Sequence, residues 1–340
     1  MTKTHPDYDK DCFKHCVRYH GWLPACKWYK EHKRNGGLKY FTLCAKQAID
    51  VFMLEMEGLL QRDEEDRRLR GVIICEANEG DAREIFSLVR PPLAEAVIVG
   101  DLAEILNFQD TPETEGRSPD EDDTKLRVRR LLELKRKCLS LRAQFPFDVI
   151  NFDPYGSLVD PALEDNKLHK AFCKIFELQS AAPSFLLLVT TPVQVHSRVR
   201  ARFREDFAAN ATRYRPIKDA LSSRHGTDDY DGINEDRRIA LGVAKSIIIP
   251  CARNNGWRHE HKGIYVYERG RGQKMLSSVV LFRQGGRRDD QSGYVADIVR
   301  VIKDMPTHYG PNEVSEDGAA MAHLARVVAY REKVRADHRT

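Results

Sequence analysis

The chain has 340 residues, 41% hydrophobic and 31% charged, with a net charge of +4. That is enough for one large α/β domain with additions or two modest domains, and so small a net charge gives no global argument for nucleic acid. No run of about 18 apolar residues occurs, which excludes a helical membrane span, and the polar stretch Met1–Lys10 has no secretory core, so a cytoplasmic location with eight reduced cysteines is expected.

Residues 1–37, rich in Cys, His, Lys and Trp, read as an N-terminal extension closed by Gly36-Gly37. Its Cys12, Cys16 and Cys26, with His15 and His20, have a Cys-x3-Cys-x9-Cys spacing without a second pair. Cys12 and Cys16 are expected one turn apart on a helix and inert, and no metal is assigned. An α/β domain is predicted over 38–290. Tyr40–Cys44 reads as a short strand, and Ile49, Phe52, Met53, Met56, Leu59 and Leu60 recur at helical spacing. The continuous apolar run at 71–75 suits a strand buried on both faces, 96–99 and 185–189 read as further buried strands, and 147–152 reads as a strand. Helices fall between them at 81–89 and 168–178.

An insertion over 108–143 begins acidic and turns into a basic amphipathic helix over 126–141. Residues 196–240 read as polar and helical, and 240–249 as a further helix. Two β-like runs, 263–267 and 278–282, flank Gly270-Arg271-Gly272, a hairpin signal. His259 and His261 alternate just before the first run and read as an exposed strand start. Residues 291–340 read as a helical extension.

Strands alternating with helices imply a mostly parallel sheet with helices on both faces. The closing hairpin must be antiparallel. Ligands in such folds bind outside the carboxyl ends of the strands, where the strand ends supply Glu76, Asp101 and Asp153. An acid after the second strand suits the two hydroxyls of a ribose, and one after the third can accept from the amine of adenine.

A parallel βα series closed by a hairpin, with Asn151-Phe152-Asp153-Pro154-Tyr155-Gly156-Ser157 after the fourth strand, resembles the Rossmann-like class I S-adenosylmethionine-dependent methyltransferases. The motif is similar to the Asp/Asn-Pro-Pro-Tyr/Phe of enzymes that methylate adenine N6 and cytosine N4. It is closer to the Asp-Pro-Phe-Gly-Ser/Thr-Pro of tRNA guanine-N2 dimethyltransferases, with Leu158 replacing the last proline. Gly100-Asp101-Leu102-Ala103-Glu104 resembles the family's third motif. The resemblance implies S-adenosylmethionine as cofactor, held by Thr42, Cys44, Glu76, Asp101 and Leu102. It further implies that Asp153 and Pro154 orient a nucleobase amine, Tyr155 stacks on the base and Gly156 admits close backbone approach. The family's glycine-rich first loop falls at Phe41–Lys46, which contains no glycine; a second register uses Glu76–Asp81, and the first is preferred because it places Asp101 after the third strand.

Basic residues cluster in two runs, with Arg129, Arg130, Lys135 and Arg136 in the first and Arg198, Arg200 and Arg202 in the second. Such runs are candidate nucleic-acid contacts. Three functions follow: methyl transfer to an exocyclic nucleobase amine in RNA or DNA; a non-catalytic subunit of the same fold that binds nucleic acid or a protein; or a metal-dependent nuclease using the strand-end acids.

Overall fold

The structure, a computed structural model, describes residues 11–33, 36–43, 47–63, 65, 68–89, 96–108, 121–154, 157–158, 166–193, 197–211, 214–226, 230–269, 273–285, 291–303, 307–309 and 317–337. The chain begins with α1 (Cys12–Val17), a π turn (Arg18–Trp22) and α2 (Leu23–His32), followed by β1 (Tyr40–Thr42) and α3 (Ile49–Met56). A two-stranded ribbon, β2 (Gln61–Arg62) with β3 (Leu69–Arg70), leads into β4 (Val72–Glu76), α4 (Glu79–Val89), β5 (Val97–Val99) and α5 (Leu102–Asn107). Next come α6 (Glu121–Gln144), β6 (Val149–Phe152), α7 (Lys167–Leu178) and β7 (Ser184–Pro192). A helical stretch holds α8 (Ser197–Ala211), α9 (Arg215–His225), α10 (Glu235–Val243), a second π turn (Ala244–Ile248) and α11 (Ile249–Asn254). The chain closes with β8 (Trp257–Arg269), β9 (Gln273–Gln284), α12 (Gln291–Lys303), β10 (Thr307–Tyr309) and α13 (Gly318–Asp337).

The main sheet has eight strands in the order β10-β8-β9-β7-β6-β1-β4-β5. All neighbouring pairs from β7 to β5 are parallel, whereas β9 runs antiparallel to both β7 and β8. The protein is therefore α/β with a mostly parallel mixed sheet and a C-terminal antiparallel hairpin. The strand β1 lies centrally, between β4 and β6. Residues 270–272, the expected hairpin turn, lie outside the described residues.

Side chains alternate across the sheet, as period-two strands require. Phe41, Ile73, Cys75, Ile150, Phe152, Leu187 and Val189 point into one core, completed by α5 to α12. Tyr40, Val72, Ile74, Val149, Leu186 and Leu188 point into the other, covered by α1 to α4 and α13. Residues of the N-terminal stretch are thus core: Val17, Trp22 and Cys26 are buried, and the indole of Trp22 donates to Ser277 Oγ at 3.1 Å.

Both π turns directly precede helices with proline in their first turn, Pro24 and Pro250. Proline cannot donate to the carbonyl four residues back, and its ring crowds that carbonyl, so the helix widens there. The carbonyl released by Pro24 is that of His20, which accepts from the Tyr265 hydroxyl at 3.5 Å. Gly21 makes room for the same ring, since a Cβ there would lie 2.5 Å from Tyr265.

Three expectations are corrected. His259 and His261 are buried rather than exposed, because α12 covers this end of β8 and brings Asp297 to 3.5 Å from His259. Cys173 and Cys251 are bonded to each other rather than separate thiols, because α11 crosses α7 at that point. The predicted C-terminal helical extension also supplies a strand, β10, which extends the sheet beside β8.

The start of β6 depends on one side chain. The carboxamide of Gln179, fully buried, accepts from Phe147 N and donates to Phe147 O, both at 2.7 Å. Gln179→Ala would leave both backbone groups buried and unpaired, so a loss of about 2–4 kcal/mol is expected in urea unfolding.

Candidate functional site

Each candidate acid follows from how its strand ends. Glu76 is the last residue of β4, and its Oε1 accepts from Asn78 N at 2.8 Å, closing the turn into α4. Asp101 follows β5 and caps α5: its Oδ1 accepts from Ala103 N at 2.7 Å and Glu104 N at 3.1 Å. Both bonds go to Oδ1, which leaves Oδ2 as an acceptor. Gly100, just before it, has φ +150°, and a Cβ there would come within 3.2 Å of Ile105, so the turn favours glycine. Asp153 follows β6.

These ends surround one cavity of about 350 Å³, lined by Leu43, Cys75, Glu76, Ala77, Gly100, Asp101, Leu102, Asp153, Pro154 and Leu168. The volume falls in the range of small-molecule sites. Of the candidate residues, Glu76, Asp101, Leu102, Asp153 and Pro154 thus share one cavity. Thr42 is not among the residues that line it: it is fully buried, and its hydroxyl donates to Asp50 Oδ2 at 2.7 Å. Cys44, Tyr155 and Gly156 lie outside the described residues. Among the described residues, the three acids do not close into a group tight enough to hold one metal ion.

Buried charge also gathers at the ends of β1 and β6. Asp50, on α3, is buried, and its Oδ2 accepts from Tyr40 at 2.6 Å, Thr42 at 2.7 Å and Asn151 at 3.0 Å. Burial alone would raise the pKa of Asp50. Arg18, with the bonds from Tyr40 and Thr42, outweighs it and holds the carboxyl below its ordinary value. Lys14 pairs with the carboxylate of Asp153, with both side chains less than one-tenth exposed. Lys14 and Arg18 are four residues apart, on the α1–π segment, so one helical face presents both cations to the two acids. Sequence spacing gave no sign of this arrangement: Lys14 and Asp153 are 139 residues apart.

The loop after β1 ends at Ala48, which caps α3 with φ +48° and ψ +35°, a left-handed conformation. An L side chain pays about 1 kcal/mol there, and glycine does not. The backbone thus keeps a shape suited to glycine where the sequence has alanine.

The two basic runs have different settings. Arg129, Arg130 and Arg136 are exposed on α6 and Lys135 is half-buried; Arg130 lies 3.7 Å from Glu104. Arg198, Arg200 and Arg202 are exposed on α8, where Arg200 pairs with Glu235 at 2.6 Å. The helix α6 also exposes Leu126, Leu131, Leu132 and Leu139, so it is not a simple basic amphipathic helix.

Two outcomes test these features. Because the folded pKa of Asp50 is depressed, its stabilisation is complete above the unfolded value, near 4, and is lost as pH falls through the folded one. Asp50→Asn is expected to reduce the acid-limb slope of stability against pH by up to one proton, about 1.4 kcal/mol per pH unit; pH-dependent urea unfolding measures this. Ala48→Gly is expected to leave stability unchanged or raise it by up to about 1 kcal/mol, against the usual loss for Ala→Gly near a helix start. Compared with protein-family models, curated proteins and solved structures, the chain gave no match.

Proposed function

We propose that the chain is a class I methyltransferase-like protein that binds S-adenosylmethionine in the cavity at the ends of β1, β4, β5 and β6 and methylates an exocyclic amine of a nucleobase. The observation that carries this reading is the convergence of Glu76, Asp101, Leu102, Asp153 and Pro154 on one cavity. The strand order supports it: an antiparallel strand inserted between the fifth and sixth parallel strands, with the first strand central, is the arrangement of that fold.

On this reading Glu76 accepts from the ribose hydroxyls, and Oδ2 of Asp101 accepts from the adenine amine while its Oδ1 caps α5. Leu43 and Leu102 supply apolar walls. The carboxylate of Asp153 is held by Lys14, which fixes its orientation, and together with the Pro154 carbonyl it accepts from the N–H groups of the target amine. The reaction then rests on in-line placement of nitrogen against the methyl group rather than on strong acid–base chemistry. The exposed arginines of α6 and α8 would contact the phosphates of the nucleic acid.

A specific observation favours a second reading, a non-catalytic member of the same fold. Lys14 already occupies the motif carboxylate, and Ala48, which caps α3, stands where glycine suits the backbone. One calorimetric series separates the two. The first reading expects S-adenosylmethionine to release measurable heat, and Asp101→Ala to weaken binding by about 10–100-fold, the loss of a hydrogen bond to a charged group. No heat at millimolar cofactor, together with a salt-sensitive gel shift of RNA, would instead establish the second.

A further inference from the structure

His169, Cys173 and Cys251 bring three donors together beside the cavity but outside it. His169 and Cys173 are one turn apart on α7, so their side chains share a face. Cys251 comes from α11, 78 residues after Cys173, with a Cα–Cα separation of 5.3 Å. The imidazole Nε2 lies 3.8 Å from the Cys173 sulfur and 3.9 Å from the Cys251 sulfur, and all three donor atoms lie within 4.8 Å of one another.

A disulfide alone needs no third donor. Here an imidazole nitrogen stands equally far from both sulfurs. In a tetrahedral zinc site with zinc–sulfur bonds of about 2.3 Å and zinc–nitrogen bonds of about 2.0–2.1 Å, the sulfur–nitrogen edge is roughly 3.5 Å. The observed separations are within a few tenths of an ångström of that edge. We propose that His169, Cys173 and Cys251, as the two free thiols and an imidazole, form a zinc site that fastens the first turns of α7 to α11, and that pairing of the two cysteines removes it.

The donor set suits the ion. Thiolate and imidazole ligands favour zinc over magnesium or calcium, which take oxygen. Cys251 is buried, while His169 and Cys173 are half-buried, so a fourth position can be filled by water from the open side. The charges balance: each thiol releases one proton, and two thiolates neutralise the divalent ion. Starting from the bonded cysteines, a water-soluble phosphine supplies two electrons and becomes the phosphine oxide with oxygen from water, and the two sulfurs each take up a proton. The consequence for the fold is local: Leu168, the residue before His169, lines the cavity wall.

The site differs from the Cys12, Cys16 and Cys26 set that the sequence brings to mind, in which Cys16 and Cys26 are fully buried. Its test needs neither cofactor nor substrate, so its failure leaves the proposed methyltransferase reading untouched, and the reverse holds too. The full chain is reduced with the phosphine, stripped with a chelator, assayed for free thiols and titrated with Co²⁺ as a spectroscopic probe, then with Zn²⁺. A thiolate-to-cobalt charge-transfer band that saturates at one ion per chain and is displaced by zinc is the expected result. His169→Ala and Cys251→Ser should each weaken cobalt binding by more than about 100-fold, while Cys138→Ser, at a buried free cysteine elsewhere, should not. Protein oxidised to the disulfide should show no band. Absence of the band in wild-type protein whose thiols titrate as free would overturn the proposal, as would a band that survives in both His169→Ala and Cys251→Ser.

Discussion

The site depends on charge buried twice over. Asp50 is fully buried and the side chain of Asp153 is less than one-tenth exposed at the cavity wall, and each charge would be costly there alone. The N-terminal helix resolves this by sending Lys14 to Asp153 and Arg18 toward Asp50 from one face. Tyr40, Thr42 and Asn151 then satisfy Asp50 from the central strands. The helix is therefore not an appendage to the sheet. Through Lys14 it holds a carboxylate of the cavity wall, and the orientation of that carboxylate follows from it.

This arrangement also explains why the two functional readings stand so close together. A carboxylate oriented by a buried lysine is well placed to accept from a substrate amine, and it is also a carboxylate already satisfied within the protein. Asp101 has a similar dual character, because one oxygen caps α5 while the other remains an acceptor. The cavity unites residues that the sequence scatters over more than a hundred positions, yet each also has a structural duty.

The parallel strands were legible because strands buried on both faces are written as continuous apolar runs: Val72–Cys75 and Phe185–Val189 could hardly be anything else. Their carboxyl ends were legible for the same reason, and with them Glu76, Asp101 and Asp153. The hairpin was recognised but its strands proved far longer, because His259 and His261 look like surface residues until α12 is placed over them. Thr42 was assigned to the cofactor from its position in the chain, whereas its hydroxyl serves Asp50 instead. Long-range pairings such as Lys14 with Asp153, or His169 with Cys251, leave no trace in local periodicity, since they arise only when helices distant in sequence cross.

The widened turn at Arg18–Trp22 has a geometric result that goes beyond its local packing. A π turn adds in effect one residue to a helical repeat, and each residue of an α-helix advances the direction of its side chains by about 100°. Without that extra residue, the segment before it would be turned by roughly this angle relative to the well-anchored α2, and the ammonium of Lys14 would face away from β6. Pro24, which forces the widening, thus sets the rotational phase of the helix, and an imino acid ten positions downstream governs where the lysine points.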